Sequence, residues 1–227
     1  MGLPAYCPVT TFREHDIENW LIVKGNHMTI LIRFIPTFIL ALPICFSAST
    51  VNAGTADAGA SAQESDIKEA RLLIKEFSET LKSTLSAAIE QGGLINALDA
   101  CHIEAPAISS RLAAQSDWKV ERTSLKPRNA LNSPDNWELA NLQRFEQRKE
   151  AGEAVANIDT FSTIQDKGQT VFRYMKAIPT GGLCLNCHGN SIAPSVKEKI
   201  DALYPYDEAL GFTVGDIRGA FTLQKVK

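Results

Sequence analysis

Five consecutive residues have the types and spacing to do chemistry: Cys184-Leu185-Asn186-Cys187-His188. The pattern is C-x-x-C-H, the attachment signature of a c-type haem. Two thiols three residues apart lie on one side of a helical turn, where both can add to the vinyl groups along one porphyrin edge. The next residue, His188, then projects towards the iron and supplies the proximal nitrogen. Gly181, Gly182 and Gly189 flank the motif and are expected to let the backbone pass close to a flat macrocycle. Two other chemistries share the spacing. A redox dithiol usually follows a strand and an aromatic residue, whereas Gly181-Gly182-Leu183 precedes Cys184. A zinc site would need Cys101 and His102 as its remaining ligands. Export decides between them, because covalent haem attachment occurs on the outer side of the bacterial membrane. The reading is one haem c, held by Cys184 and Cys187, with His188 on the iron.

Three side chains compete for the opposite axial position: Cys101, His102 and Met175. Met175 lies on an expected strand nine residues before Cys184 and reads as a core side chain. Cys101 and His102 are helix neighbours about 100° apart, so they cannot both face one iron. Behind Cys101 on its helix face stand Leu98, Ala97 and Leu94; behind His102 stand Asp99, Leu98 and Ile95. Cys101 has the more apolar stripe, and His102 has an acid one turn away for a surface pairing, which favours Cys101 inside the pocket. Haem also brings two propionates that attract guanidinium and ammonium groups. Arg122, Lys126, Arg128 and Arg218 are the candidates. Arg128 leads them because its loop is constrained by prolines.

The export signal is the run ILIRFIPTFILALPICFSA from Ile30 to Ala48, followed by Val51 and Ala53 at the positions a signal peptidase reads. Met28 stands directly before it, so residues 28–53 read as a signal peptide and 1–27 as an upstream extension outside the native start. Residues 54–64 (GTADAGASAQE) read as a flexible leader, and 65–227 as the haem domain. Cys7 and Cys45 fall in the removed part, which leaves three cysteines and two histidines. The expected compartment is the periplasm, with no membrane span once the signal is cleaved.

The positioning elements follow from periodicity. Ser65 caps a long helix with Ile67, Ala70, Ile74, Phe77, Leu81, Leu85 and Ala88 on one face, ended by Gly92-Gly93. A second helix covers Leu94 to His102, and Pro106 opens a third that runs to about Gln115. Trp118 to Ser124 reads as a strand, and 125–135 as a long loop. A helix capped at Asp135 or Asn136 ends near Gly152. Strands at about 156–165 and 170–178 flank the hairpin turn Asp166-Lys167-Gly168. A short helix from about Ser195 to Leu203 and a last strand from Ile217 to Val226 complete an α+β order.

Composition narrows the function classes. The chain has 227 residues, 23 basic and 26 acidic, with a net charge of −3. That mild acidity argues against a nucleic-acid partner. No charge-free run of about 20 apolar residues occurs, which excludes a multi-span membrane protein. Five cysteines are too few for a disulfide scaffold.

Several blocks together resemble a known family. They are Trp118 to Asn129 (WKVERTSLKPRN), Asn132 to Glu138 (NSPDNWE), the C-x-x-C-H motif, Tyr204-Pro205-Tyr206-Asp207, and Gly215 to Ala220. Their order is similar to that of a bacterial single-haem family once catalogued as a domain of unknown function. Its members include a cyanobacterial c-type haem protein and extracytoplasmic sensor regions of histidine kinases. The resemblance covers about residues 65–226. It implies a PAS-like fold, an antiparallel sheet with a long N-terminal helix and flanking helices around a haem pocket. It also implies a distal cysteine on an N-terminal helix, which corresponds here to Cys101. A thiolate there would stabilise ferric iron and lower the potential. One departure is Arg128-Asn129-Ala130-Leu131, where a proline often follows the Arg-Asn pair.

The expected function is a redox- or gas-responsive sensing module that needs a partner protein for output. The alternative is a periplasmic electron carrier with a redox partner. An enzyme is not expected, since no distal histidine–arginine spacing of a peroxidase is present and filled axial positions leave no open site.

Overall fold

A computed structural model describes residues 54–227; the expected upstream extension and signal peptide lie outside the described residues. The described chain is α+β, as expected. It comprises α1 (Gly54–Ala114), β1 (Trp118–Thr123), α2 (Asn136–Glu150), β2 (Asp159–Asp166), β3 (Gln169–Pro179), α3 (Leu185–His188), α4 (Pro194–Leu203) and β4 (Ile217–Val226). Among the described residues no helix is long and apolar enough to cross a membrane.

The long helix is a hairpin. Gly92 and Gly93 leave helical geometry, and Gly93 takes φ 70°, which glycine adopts without steric cost. The two arms, 54–91 and 94–114, then run back along each other. Arg111 Nη1 reaches Glu76 Oε1 at 2.7 Å across 35 residues, and Asn96 Nδ2 donates to the Ala88 carbonyl at 3.0 Å. The Gly-Gly stop was therefore legible, but two other expectations need correcting. The first arm begins at Gly54, so the expected leader is helical and Ser65 sits inside the helix rather than at its cap. Its alanines are strong helix formers, and the packed turns behind them propagate the helix. The second arm also runs unbroken through Pro106. Pro106 is exposed and forfeits only one backbone bond, while Ala105, Ile108 and Leu112 beside it are buried against the sheet.

The sheet is antiparallel throughout, in the order β1-β4-β3-β2. Lys167 and Gly168 both have positive φ (49° and 81°), the backbone of a two-residue turn matched to strand twist. One face carries Trp118, Val120, Phe172, Tyr174, Phe221 and Leu223 against Ile67, Ile74, Phe77, Ile108 and Leu112 of α1. The other face carries Met175, Ala177 and Ala220 against Leu142 and Phe145 of α2.

The start of α2 doubles as a core anchor. Asp135 accepts from the Glu138 amide at 2.8 Å, and Glu138 Oε2 accepts from the Asp135 amide at 3.1 Å. The other oxygen of Glu138 takes Arg173 at 2.9 Å and the Thr222 hydroxyl at 2.7 Å from the sheet. Arg173 keeps Asp135 as a second partner at 2.7 Å. Glu138→Ala removes a buried acceptor from both donors, with an expected cost of about 3 kcal/mol. Urea unfolding at constant slope would measure it.

A third cluster positions the site. Leu98 of the second α1 arm packs on Val196 and Ile200 of α4, with Leu94, Cys187, Ile192, Leu203 and Tyr204 around them. The cysteine motif is thereby held on the same helical arm that carries Cys101.

Candidate functional site

The motif occupies a 3₁₀ turn, Gly182–Cys184, that runs into the four-residue α3. Helical spacing places the Cys184 and Cys187 side chains on a common side, and both are half-buried. Gly189 ends the turn. A Cβ there would lie 2.6 Å from the Leu185 carbonyl oxygen, so glycine is required by the turn itself. Gly181 and Gly182 are exposed and face no such crowding from the protein itself.

His188 is oriented. Its Nδ1 lies 2.9 Å from the Ala209 carbonyl oxygen, which can only accept, so Nδ1 carries the proton. The lone pair is then on Nε2, free for a metal. Burial pushes the ring pKa down to about 2, and the charges of Arg218 and Arg128 push the same way. The imidazole is neutral at any physiological pH, the state a metal ligand needs. Phe212 packs edge-on to the ring with centroids 6.3 Å apart, and its amide donates to the His188 carbonyl at 3.0 Å.

The three candidates for the opposite axial position fall in different places. Cys101 is half-buried on the second α1 arm. Burial raises its thiol pKa, while the charges of Arg122 and Arg128 draw it down and Cys184 opposes them. Cys101 is thus within electrostatic reach of the motif thiols and of two guanidiniums. His102 is exposed, with Nδ1 3.1 Å from the Tyr204 hydroxyl and its ring edge-on to Tyr204. Its surface partner is Tyr204 rather than Asp99, because Asp99 is taken by Lys199 at 2.8 Å. Met175 is fully buried on the α2 face of the sheet, opposite the face that packs on α1. Among the described residues no three histidine, cysteine or acidic side chains gather into a metal-holding group, so the ligand set that a zinc reading needs is not assembled.

The arginines divide. Arg128 is committed: Nε and Nη2 each reach Asp207 at 3.1 Å, and Nη2 also reaches the Cys187 carbonyl at 2.5 Å and the Ala209 carbonyl at 3.3 Å. It is a clamp on the motif, which leaves it less available to a propionate than its loop position suggested. Arg122 stacks over the Phe77 ring at 5.3 Å and has no carboxylate partner among the described residues. Arg218 stacks over Phe212 at 5.2 Å, donates only weakly to Ser124 Oγ and the Lys126 carbonyl (3.3 Å each), and leaves a buried Nε unpaired. Burial, with Arg128 and Arg122 as repelling neighbours, pushes the Arg218 pKa down to about 10. Lys126 is exposed, donates to the Leu210 carbonyl and lies over the Phe212 ring. Two half-buried guanidiniums without carboxylate partners fit an anionic ligand.

A family model described as Tll0287-like matches residues 59–225. The chain belongs to the Tll0287-like family. Its fold is similar to the crystal structure of the cyanobacterial heme-protein Tll0287, at 22% identity and a TM-score of 0.50, covering 68% of this chain and 92% of that one. No curated protein matches the chain. The family match takes in Cys101, Arg122, Arg128, the C-x-x-C-H motif and Arg218 together.

Sequence reasoning missed two contributors that the structure of this Tll0287-like chain brings to His188. The Ala209 carbonyl is a backbone acceptor, and no residue type announces it. Asp207 lies 79 positions from Arg128, its partner, and both side chains are buried. Tyr204-Pro205-Tyr206-Asp207 had signalled only as a family block.

Proposed function

We propose that this chain carries one haem c, joined through Cys184 and Cys187, with His188 as proximal and Cys101 as distal ligand. The observation that carries the reading is the fixed tautomer of His188, which presents a neutral Nε2 beside two half-buried thiols. Arg122 and Arg218, neither with a carboxylate partner among the described residues, support it, since two half-buried cations match two propionates. The C-x-x-C-H pattern and membership of a family whose solved relative is a heme-protein support it further. Bound haem would supply one-electron chemistry and an axial position that a diatomic gas can enter when the distal ligand leaves. The chain's own residues hold and orient: Arg122 and Arg218 take the carboxylates, Phe212 packs on the proximal ring, and Leu98 and Ile200 exclude water behind the motif.

The role is redox- or gas-responsive sensing rather than catalysis. The two axial candidates sit on different elements, Cys101 on the second α1 arm and His188 on α3. Loss of the sulfur–iron bond would release that arm from one of its attachments, a change a partner protein can read. A periplasmic electron carrier is the second reading, favoured by the 50% exposure of Leu183 next to Cys184, which would leave a porphyrin edge near the surface. Rapid exchange with a respiratory partner at a potential near or above zero would favour it. Both readings place the mature chain outside the cytoplasmic membrane, where the attachment chemistry operates.

Arg122→Gln and Arg218→Gln test the anion site. In a background lacking both motif cysteines, each is expected to weaken haemin binding about 10–100-fold, the worth of one charge-assisted hydrogen bond of about 1.5–3 kcal/mol. Absorbance titration with haemin would read the loss.

A further inference from the structure

The proximal side of the site contains a device that the haem reading does not require. Arg128 and Asp207 form a buried ion pair, their side chains 10% and 3% exposed, directly behind His188. Asp207 Oδ1 accepts from Arg128 Nε at 3.1 Å and from the Ala209 amide at 2.9 Å. Arg128 Nη2 donates to the Cys187 carbonyl at 2.5 Å and to the Ala209 carbonyl at 3.3 Å. That second carbonyl is the one that takes the Nδ1 proton of His188 at 2.9 Å. One oxygen therefore serves an imidazole and a guanidinium at once. The neighbouring backbone closes the loop around it, with the Glu208 amide donating to the Pro127 carbonyl at 3.0 Å.

We propose that Arg128, anchored by Asp207, is the positioning residue of the proximal ligand, and that it limits how much negative charge His188 can pass to the iron. The inference rests on the haem reading above. A carbonyl that accepts strongly from Nδ1–H gives the ring imidazolate character, strengthens it as a donor and favours ferric iron. A guanidinium on the same oxygen draws that electron density away, so the intact clamp holds the potential up. The contact to Cys187 also satisfies a carbonyl at the end of α3 that the short helix leaves free.

The test compares Arg128→Lys, Arg128→Gln and Asp207→Asn in the haem-loaded protein. The readouts are the midpoint potential and the hydrogen-exchange rate of His188 Nδ1–H by NMR. Breaking the clamp from either partner frees the same carbonyl. The potential is therefore expected to fall in all three variants, and Nδ1–H exchange to slow as the freed carbonyl holds that proton more strongly. Simple charge effects give a different pattern: removing the cation lowers the potential, removing the anion raises it, and Arg128→Lys leaves it unchanged. Arg128→Lys keeps the charge but cannot bridge Asp207 and two carbonyls in one plane, so it remains informative where the others fold poorly. Opposite shifts in Arg128→Gln and Asp207→Asn, or an unmoved potential in Arg128→Lys, would overturn the proposal alone. A lowered melting temperature with an unmoved potential would show a merely structural tie and overturn it too. A wild-type chain that takes up no haem would overturn the haem reading itself, and this proposal with it.

Discussion

Replacing Cys101 by alanine in the haem-loaded protein is expected to abolish the narrow-spread ferric low-spin EPR signal of a thiolate–imidazole pair and to raise the midpoint potential. Among the described residues Cys101 is the sulfur candidate for the distal side within electrostatic reach of the motif, since Met175 is buried beneath α2. An anionic sulfur stabilises ferric iron, so its removal favours the ferrous state. The effect on gas binding should be large. A displaced-ligand state populated at about 0.1–10% masks the iron by that fraction, so removing the ligand raises carbon monoxide affinity by about 10–1000-fold. His102→Ala should leave the spectrum unchanged, because the ring is exposed and tied to Tyr204 at 3.1 Å. An unaltered EPR spectrum in Cys101→Ala would place the distal ligand elsewhere.

The second large effect concerns the covalent link. With Cys184 and Cys187 both changed to alanine, no haem-staining band should survive a denaturing gel. Each single variant should keep one thioether and show a red-shifted pyridine haemochrome band from its remaining vinyl group. The double variant keeps His188, Arg122 and Arg218, so it should still take up haemin reversibly. Loss of the stained band together with retained reversible uptake would separate the attachment role of the thiols from the binding role of the pocket.

What was legible in the sequence had local causes. The α2 cap needs only Asp135 and Glu138 three residues apart, and the β2–β3 turn only Lys167-Gly168 between alternating strands. The Gly92-Gly93 reversal is similar, because one positive-φ position fixes it. The readings that failed were those in which packing overrides local preference. Pro106 looked like a helix start, yet the buried Ala105 and Ile108 carry the helix through it. Residues 54–64 read as a leader, yet they continue the first helical arm. In the site, the cysteine motif was legible because it is contiguous. The role of Arg128 was not, because its partners Asp207 and the Ala209 carbonyl lie some 80 residues away and one of them has no side-chain signature. The division among the arginines, one clamped by a carboxylate and two without one, depends on tertiary contacts that a charge pattern does not encode.

The central claim is a haem held covalently by Cys184 and Cys187 and ligated by His188. Its most direct measurement is the intact mass of the denatured protein, together with its pyridine haemochrome spectrum, after expression with a c-type haem attachment system. The expected result is a polypeptide heavier by one haem after denaturation, with the α band of a haem whose two vinyl groups are both saturated. A bare polypeptide mass with no haemochrome band, above all with zinc bound to the same thiols, would contradict it.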